Sequence, residues 1–509
     1  MGRDKGFLVR AIAPLAILIL AVALSSAYSG PSTRRPELTL GFSVDPVTAD
    51  PRFSSNIPGQ SIQRHGYEPL INHDRSGKLI PVLATSWKMI NPTTLEFKLR
   101  RGVKFHNGED FTAESVKYTI ESIIAPDSKS PNKQALLDIA KIESPDPYTV
   151  RLITHQPSRP LLRNLTFWPI GMLPPKAAQE LGPKLSSVGI GTGAYKLVEF
   201  IPGERAVFEA YDGYWGKKPS YARITFKIIR ENGPRAAALE AGDVMMINNV
   251  PPDEMARINA NPNLRVIARP TARIMFVAAA MRKPIMQNVK FRQALNVAIN
   301  RSAIVNSILR KTTEVARSPI PAMVWGSVQM APPAYNVARA RQLLKDAGYQ
   351  GEPIEFLVPN GRYLLDKQIG EAIAGYFQKA GVNVKINLVE WGQFASAVFG
   401  KSGTWDLSLF GWGMVTFDPD WLFRPMFHSK YNLTGYKNEK LDSLIDAGRT
   451  TFDERKAMAS YKEIQQLLWD QVPYLFLYNQ PQIDAINKKL KGYEPMPDEF
   501  MYFAGTTLE

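Results

Sequence analysis

The chain has 509 residues, more than one ordinary hydrophobic core holds, so two or three lobes are expected. It contains no cysteine, which excludes a disulfide framework, a thiolate nucleophile, a cysteine-bound zinc ion and a lipid-modified N-terminal cysteine. The formal net charge of +15 comes from basic residues scattered as singles and pairs. This pattern is typical of a solvated cationic surface, and it leaves open attraction for an anionic ligand or for the negative membrane surface. We expect no nucleic-acid partner, since no basic stripe is present.

The N-terminus has the pattern of an export signal. Arg3, Lys5 and Arg10 form a positive region, the run 11–24 is apolar, and small residues follow at 25–27. The alternative is an uncleaved membrane anchor, but Pro14 interrupts the short apolar run and favours cleavage. We therefore expect residues 1–27 to be a signal peptide and the mature protein to be periplasmic, without a lipid anchor.

Alternating apolar residues predict a first strand over 37–44, which the loop 45–53 ends. Residues 95–99 alternate in the same way and lead into a turn at Asn107-Gly108. Thr112 is placed to cap the helix that follows.

The stretch 188–219 organises the middle of the chain. Gly189, Gly191 and Gly193 fit a tight backbone entry into a strand, because glycine has no Cβ to obstruct a close approach. Two β-rich runs, 195–200 and 206–210, then flank a turn. Its position after a region with its own strands and helices predicts that the chain returns here to a first domain it had left.

Helical and strand patterns alternate through the second half. Three helices are predicted: one at 288–304, one that begins after the N-cap Asn336, and one that ends at Gly381. Strands are predicted at 354–358, 382–388 and 405–412. Thr451 and Glu454 form a predicted capping box, and 473–478 is the last predicted strand. This order predicts an α/β lobe.

Four stretches carry a resemblance to a known family: LEFKLRRGVKFHNG at 95–108, GTGAYKL at 191–197, EAYDGYWG at 209–216 and NVKFRQALNVAINRSAI at 288–304. In this order and spacing they resemble family 5 of the extracytoplasmic solute-binding proteins of ABC importers, the dipeptide, oligopeptide and nickel-binding type. The resemblance implies an α/β, two-lobed periplasmic-binding-protein fold (type II, cluster C) with an extra small domain inserted in lobe I.

The resemblance also implies domain boundaries and partners. Lobe I would comprise 36–64, 183–269 and 480–509, the inserted domain 65–182, and lobe II 270–479. The partners would be a small solute, such as a peptide, an opine or a sugar conjugate, and ABC permease subunits of the inner membrane. A monomer without a cofactor or a metal is expected.

Solute sites are concave and mostly apolar, with a few polar groups that orient the ligand. The predicted ligand-binding residues lie at strand ends and loops that the family places at the cleft: Val47, Tyr67, Asn360, Arg362, Tyr363, Lys367, Trp412, Val415, Thr416, Phe417 and Asp418. Among them, Arg362 or Lys367 is the predicted anchor for an anionic group.

The chain departs from the family pattern at Val415. Peptide-binding members carry an acidic residue there, which pairs with the α-amino group of the ligand. A buried ammonium beside valine would lose its charge partner. Asp418 could substitute for this acid, but ordinary dipeptides are not the expected solute.

No catalytic cluster stands out. The histidines at 65, 73, 106, 155 and 428 are far apart in sequence, and the P-loop-like end at 400–402 lacks the first glycine. We therefore expect a protein that is not an enzyme. The alternatives are a secreted hydrolase that uses Asp418 and Asp420, and a periplasmic sensor or chaperone with the same fold.

Overall fold

The computed structural model describes residues 1–2, 35–44, 46, 48–400 and 404–509. The predicted signal peptide, Val47 and the P-loop-like residues 401–402 therefore lie outside the described residues, wholly or in large part. Residues 37–509 form one compact unit. Within the described part, no helix is both long and apolar enough to cross a membrane.

The strands are named here in chain order. They are β1 Glu37–Phe42, β2 Ile71–His73, β3 Leu79–Pro81, β4 Ala84–Asn91, β5 Thr94–Leu99, β6 Ile139–Asp146, β7 Thr149–Thr154, β8 Tyr195–Ile201, β9 Arg205–Ala210, β10 Arg223–Ile228, β11 Met246–Ile247, β12 Leu264–Ala279, β13 Ile354–Asn360, β14 Val384–Glu390, β15 Leu407–Gly413, β16 Tyr474–Asn487, β17 Leu490–Lys491 and β18 Thr507–Leu508.

The helices fill the connections between these strands. The α-helices are Ile57–Gln63, Ala113–Ile124, Leu161–Asn164, Pro175–Leu181, Asn232–Ala241, Met255–Ala260, Pro284–Gln287, Val289–Ala298, Arg301–Ala303, Val337–Asp346, Asp366–Ala380, Trp391–Val398, Asp420–Phe427, Glu439–Thr450 and Glu454–Gln471. Short 3-10 turns occupy Pro51–Phe53, Lys133–Ala135, Trp168–Ile170 and Gly182–Ser186, and a π-helical turn occupies Ile304–Ile308.

One mixed sheet runs through the unit in the order β14-β13-β15-β12-β16-β11-β1-β10-β9-β8. Strands β12 and β16 are antiparallel partners over most of their length, and they join the two halves of this sheet. Their register shifts twice, between Pro270 and Ile274 and again between Met275 and Phe276. A separate four-stranded antiparallel sheet has the order β4-β5-β7-β6.

Gly191 and Gly193 lie against the turn that follows helix Ile57–Gln63, whereas Gly189 lies against Leu197. The Gly193 amide donates to the Gly66 carbonyl (3.0 Å), and the His106 amide donates to the Gly191 carbonyl (2.9 Å). A Cβ on Gly191 would overlap the Gly66 carbonyl, so this crossing requires glycine. The predicted tight entry into strand β8 is therefore present.

Several local predictions are confirmed, and one is wrong. Thr112 and Asn336 are N-caps, as predicted. The helix near 454 is capped by Asp453, whose carboxylate accepts from the Arg455 and Lys456 amides, and not by Thr451. Aspartate satisfies the free amides of the first turn directly, so the helix begins at the residue that follows it.

Candidate functional site

The structure places Arg362 and Tyr363 together in the loop after β13. Asp366 shapes this loop, because its carboxylate accepts hydrogen bonds from the amides of Gly361, Arg362, Tyr363 and Lys367 at 2.8–3.0 Å. These bonds occupy both carboxylate oxygens. Asp366 therefore accepts no hydrogen bond from the Arg362 side chain.

The Arg362 side chain is only 8% exposed. Its guanidinium lies over the rings of Tyr363 (4.8 Å) and Trp391 (5.2 Å). Its Nε is buried and has no hydrogen-bond partner among the described residues. Burial lowers the pKa of Arg362, since a guanidinium away from water loses hydration.

A second arginine nearby is already neutralised. Arg273 makes a two-pronged ion pair with Glu499, through Nε to Oε1 (2.9 Å) and Nη2 to Oε2 (2.7 Å), and its Nη1 donates to the Gly411 carbonyl. The Tyr363 hydroxyl donates to the same carbonyl at 3.2 Å. The loop after β13, the end of β15 and the C-terminal segment therefore meet at one place.

Trp412 lies near the end of β15, and Val415 lies on the segment that follows this strand. The Trp412 indole donates to the Trp421 carbonyl at 2.7 Å, so its polar atom is used within the protein while its ring is partly exposed. Val415 is 4% exposed, and its carbonyl accepts from His73 Nε2 at 3.1 Å. The Oδ2 atom of Asp498 lies 3.4 Å from the same nitrogen.

The Val415 side chain belongs to the apolar cluster around Ile57 and Phe500. The surroundings of the Val415 side chain are therefore apolar.

Asp418 lies in a buried ion network. Its carboxylate accepts from Arg159 Nη2 (3.1 Å) and from the Asp420 amide (3.0 Å). Asp420 pairs with Arg449, and Arg449 pairs in turn with Asp138. Burial raises the pKa of Asp420, and the Arg449 charge opposes this rise. These pairings give Asp418 and Asp420 structural partners.

The remaining predicted residues differ in exposure. Asn360 and Lys367 are exposed, whereas Thr416, Phe417 and Tyr67 are buried. Phe417 has a positive φ of 54° and packs edge-on against the His73 ring. The Tyr67 hydroxyl accepts from the Ile190 amide at 3.1 Å, which places this tyrosine beside the glycine stretch.

Sequence reasoning missed Arg64. It follows helix Ile57–Gln63, is 7% exposed, and its guanidinium lies 4.1 Å from the Trp168 ring and 4.8 Å from the Tyr502 ring. Its partners lie more than 100 residues away in sequence, so no local pattern marks it. Among the described residues, no group of His, Asp and Glu side chains could hold a metal ion.

Comparison with known proteins identifies the fold. The chain is 27% identical over 502 residues to the glutathione-binding protein GsiB of Pectobacterium atrosepticum, which covers 96% of this chain and 98% of the relative. The solved structure of the periplasmic binding protein DppA from Helicobacter pylori, in complex with the peptide STSA, has a TM-score of 0.85 at 23% identity and covers 93% of this chain and 98% of its own.

Another solved structure, the binding protein AgaA from A. tumefaciens in complex with agropinic acid, has a TM-score of 0.84 at 25% identity and covers 93% of this chain and 99% of its own. The family model for bacterial extracellular solute-binding proteins, family 5, matches residues 78–433, more than half of the chain. The fold is thus the expected two-lobed α/β fold of periplasmic binding proteins, and the chain belongs to family 5 of the bacterial extracellular solute-binding proteins, the solute receptors of ABC importers.

Proposed function

We propose that this receptor captures a small anionic solute between its predicted lobes and holds an acidic group of the solute at Arg362. The observation that carries the proposal is the buried Arg362 guanidinium, whose Nε has no acceptor among the described residues. A buried cation without a hydrogen-bonded counter-charge is costly, and a carboxylate presents two oxygens that match the guanidinium fork.

The nearby acids already have other partners. Glu499 pairs with Arg273, and Asp366 accepts four backbone amides. The charge that Arg362 lacks would therefore come from the solute. The rings of Tyr363 and Trp391 hold the guanidinium plane, so it is oriented before the solute arrives.

The names of relatives agree with an acidic solute. GsiB is named for glutathione, and AgaA was solved with agropinic acid. Because Val415 stands in an apolar cluster, we propose that a peptide-like solute is not held here by its α-amino group.

The wider setting follows from the same proposal. The lobes meet near the predicted boundaries at 270 and 480, and the irregular register between β12 and β16 supports a hinge there. The protein acts in the periplasm as a monomer, after removal of residues 1–27, and delivers the solute to permease subunits without chemical change. The ion pairs of Asp418 and Asp420 argue against the hydrolase alternative.

Calorimetric titration tests the role of Arg362. Glutathione and octopine, both with two carboxylates, serve as probes for the wild type, Arg362→Met and Arg362→Lys. We expect the wild type to bind at least one probe and Arg362→Met to weaken binding on the order of 100-fold, since a buried charge pair is lost. Lys379→Met, which removes an exposed cation from the last turn of helix Asp366–Ala380, is the control and should bind normally. Unchanged affinity in Arg362→Met would refute the proposal.

A further inference from the structure

A second buried arginine, outside the predicted site, presents hydrogen-bond donors without acceptors. Nε and Nη1 of Arg64 have no hydrogen-bond partner in the described part of the chain, and neither does Nε1 of Trp168. Trp168 is 7% exposed and lies directly against Arg64. Three buried nitrogen atoms of these two side chains therefore have no acceptor within the described residues.

The aromatic rings fix the direction in which Arg64 can bond. The guanidinium lies over the faces of Trp168 and Tyr502, with Phe500 at 5.7 Å. Rings that cover the faces of a planar guanidinium leave its N–H groups to bond in the plane. Nε shares one edge of the guanidinium with Nη2, and Nη1 shares the other edge with Nη2, so a carboxylate on either edge would satisfy one of the two unpartnered donors.

The charges around Arg64 do not supply that acceptor. The acid that its charge interacts with is Asp498, whose Oδ1 accepts from the Phe500 amide and whose Oδ2 lies against His73. Burial lowers the pKa of Arg64 to about 10, and the Asp498 charge opposes this shift. Arg64 therefore stays charged at neutral pH.

Arg64 and Arg362 both lie near one C-terminal segment. The Arg64 guanidinium lies over the rings of Phe500 and Tyr502. The Arg362 guanidinium lies over the Tyr363 ring, which also contacts Arg273, the ion-pair partner of Glu499. Arg64 belongs to a segment predicted as lobe I and Arg362 to one predicted as lobe II. A solute that spans the cleft can therefore contact both.

We propose that Arg64 and Trp168 form a second anion subsite, and that the solute of this receptor carries two acidic groups, one for each buried arginine. This inference rests on the proposed function, because it takes Arg362 as the first anchor. It narrows the solute class to compounds with two carboxylates, such as acidic peptides and opine-like conjugates of an amino acid and an acid. Closure of the lobes would bring the two anchors onto one molecule.

Paired amides of one probe test the proposal. Glutathione, octopine and the two monoamides of each, which lack one carboxylate or the other, are titrated into the wild type, Arg64→Met and Arg362→Met. We expect the wild type to bind a two-acid probe at least about 10-fold more strongly than either monoamide. The monoamide that lacks the carboxylate bound at Arg64 should bind Arg64→Met and the wild type with equal affinity. The monoamide that lacks the carboxylate bound at Arg362 should bind Arg362→Met and the wild type with equal affinity.

Two further variants separate recognition from folding. Trp168→Phe keeps an aromatic ring over Arg64 but lacks the indole N–H donor. It should weaken binding of the two-acid probe several-fold and leave unchanged the affinity for the monoamide that lacks the carboxylate bound at Arg64. Arg101→Met removes a guanidinium stacked on Tyr148 (4.5 Å) at an exposed position, and it should bind every probe normally.

The outcomes separate the two proposals. If Arg362→Met loses binding while Arg64→Met and Trp168→Phe bind a two-acid probe like the wild type, the second subsite is wrong and the proposed function stands. Equal affinity of the wild type for a diacid and both its monoamides would also overturn the second subsite. If no probe of the panel binds the wild type, both proposals fail.

Discussion

Arg159 donates through Nη2 to the Asp418 carboxylate at 3.1 Å, and so joins the predicted inserted domain to the predicted lobe II. The same guanidinium lies over the Trp325 ring at 4.6 Å, and the Arg159 amide donates to the Arg449 carbonyl. Asp138, also in the predicted inserted domain, accepts from Arg424 and Arg449. Despite its burial, these two arginines hold the pKa of Asp138 below its usual value.

We therefore predict that Asp418→Asn destabilises the protein by about 2–3 kcal/mol, since the partly buried Arg159 loses its carboxylate partner and keeps only the Tyr461 hydroxyl and the Gly448 carbonyl as acceptors. Urea denaturation measures this change. The double variant Arg159→Met/Asp418→Asn should recover part of the loss, because no unpaired cation then remains. Asp110→Asn breaks an exposed pair with Lys104 and should change stability by less than about 1 kcal/mol. If Asp418→Asn lowers the free energy of unfolding by no more than Asp110→Asn does, this network does not stabilise the fold.

The glycine crossing gives a second prediction. Gly191→Ala places a methyl group on the Gly66 carbonyl, so the two segments must move apart, at a cost of about 3 kcal/mol. Gly505→Ala, where a Cβ meets no atom within 4 Å, is the matched control and should leave the melting temperature unchanged. Equal melting temperatures for both variants would contradict the close approach.

Asp484 predicts a pH dependence of stability. Burial raises its pKa to about 7, although Tyr493 and Gln482 donate to its Oδ2. In the unfolded chain its pKa is about 3.9. Between these values the folded state binds the proton that the unfolded state releases. The contribution of this carboxyl to the free energy of unfolding therefore falls between about pH 4 and pH 7, by up to about 1.4 kcal/mol per pH unit. It is smallest at high pH.

Asp484→Asn should remove this part of the pH dependence. The measurement is the free energy of unfolding at a series of pH values, with Asp253→Asn, which changes an exposed aspartate, as the control. The slope of the wild type minus the slope of Asp484→Asn should be negative between pH 4 and 7. A difference of zero would mean that Asp484 is ionised in the fold across this range.

Val415 predicts how the receptor treats an amino group. Since no acid stands at this position, N-acetylation of glutathione should change its affinity for the wild type little. Val415→Asp adds a charge partner for an ammonium, and it should shift the preference toward the free amine on the order of 10-fold, provided that the α-amino group lies there. Val415→Asn, with a neutral side chain of similar size, is the control. A strong wild-type preference for the free amine would contradict this account.

Much of the fold could be predicted from the sequence, because local patterns carry it. The caps Thr112 and Asn336 and the glycine entry to β8 each depend on neighbours within a few residues. The capping of the helix at Glu454 was predicted wrongly, since Thr451 and Asp453 are both cap formers and only the structure shows which one is used.

The candidate site was harder to predict, because its contacts join distant segments. Arg362 and Tyr363 follow a strand end that could be recognised, and the structure places them together. Arg64 meets Trp168 and Tyr502, and Asp418 meets Arg159, through tertiary packing that no local spacing encodes. The exposure of Lys367 could not be read from the helix pattern alone, since a first-turn lysine can face either way.

The central claim is that this receptor closes around an acidic solute held at Arg362. Small-angle scattering of the purified protein, with and without the probe that calorimetry selects, tests this claim most directly. We predict a smaller radius of gyration when the probe is added to the wild type and no change in Arg362→Met. A radius that stays the same in the wild type at a saturating probe concentration would contradict the account.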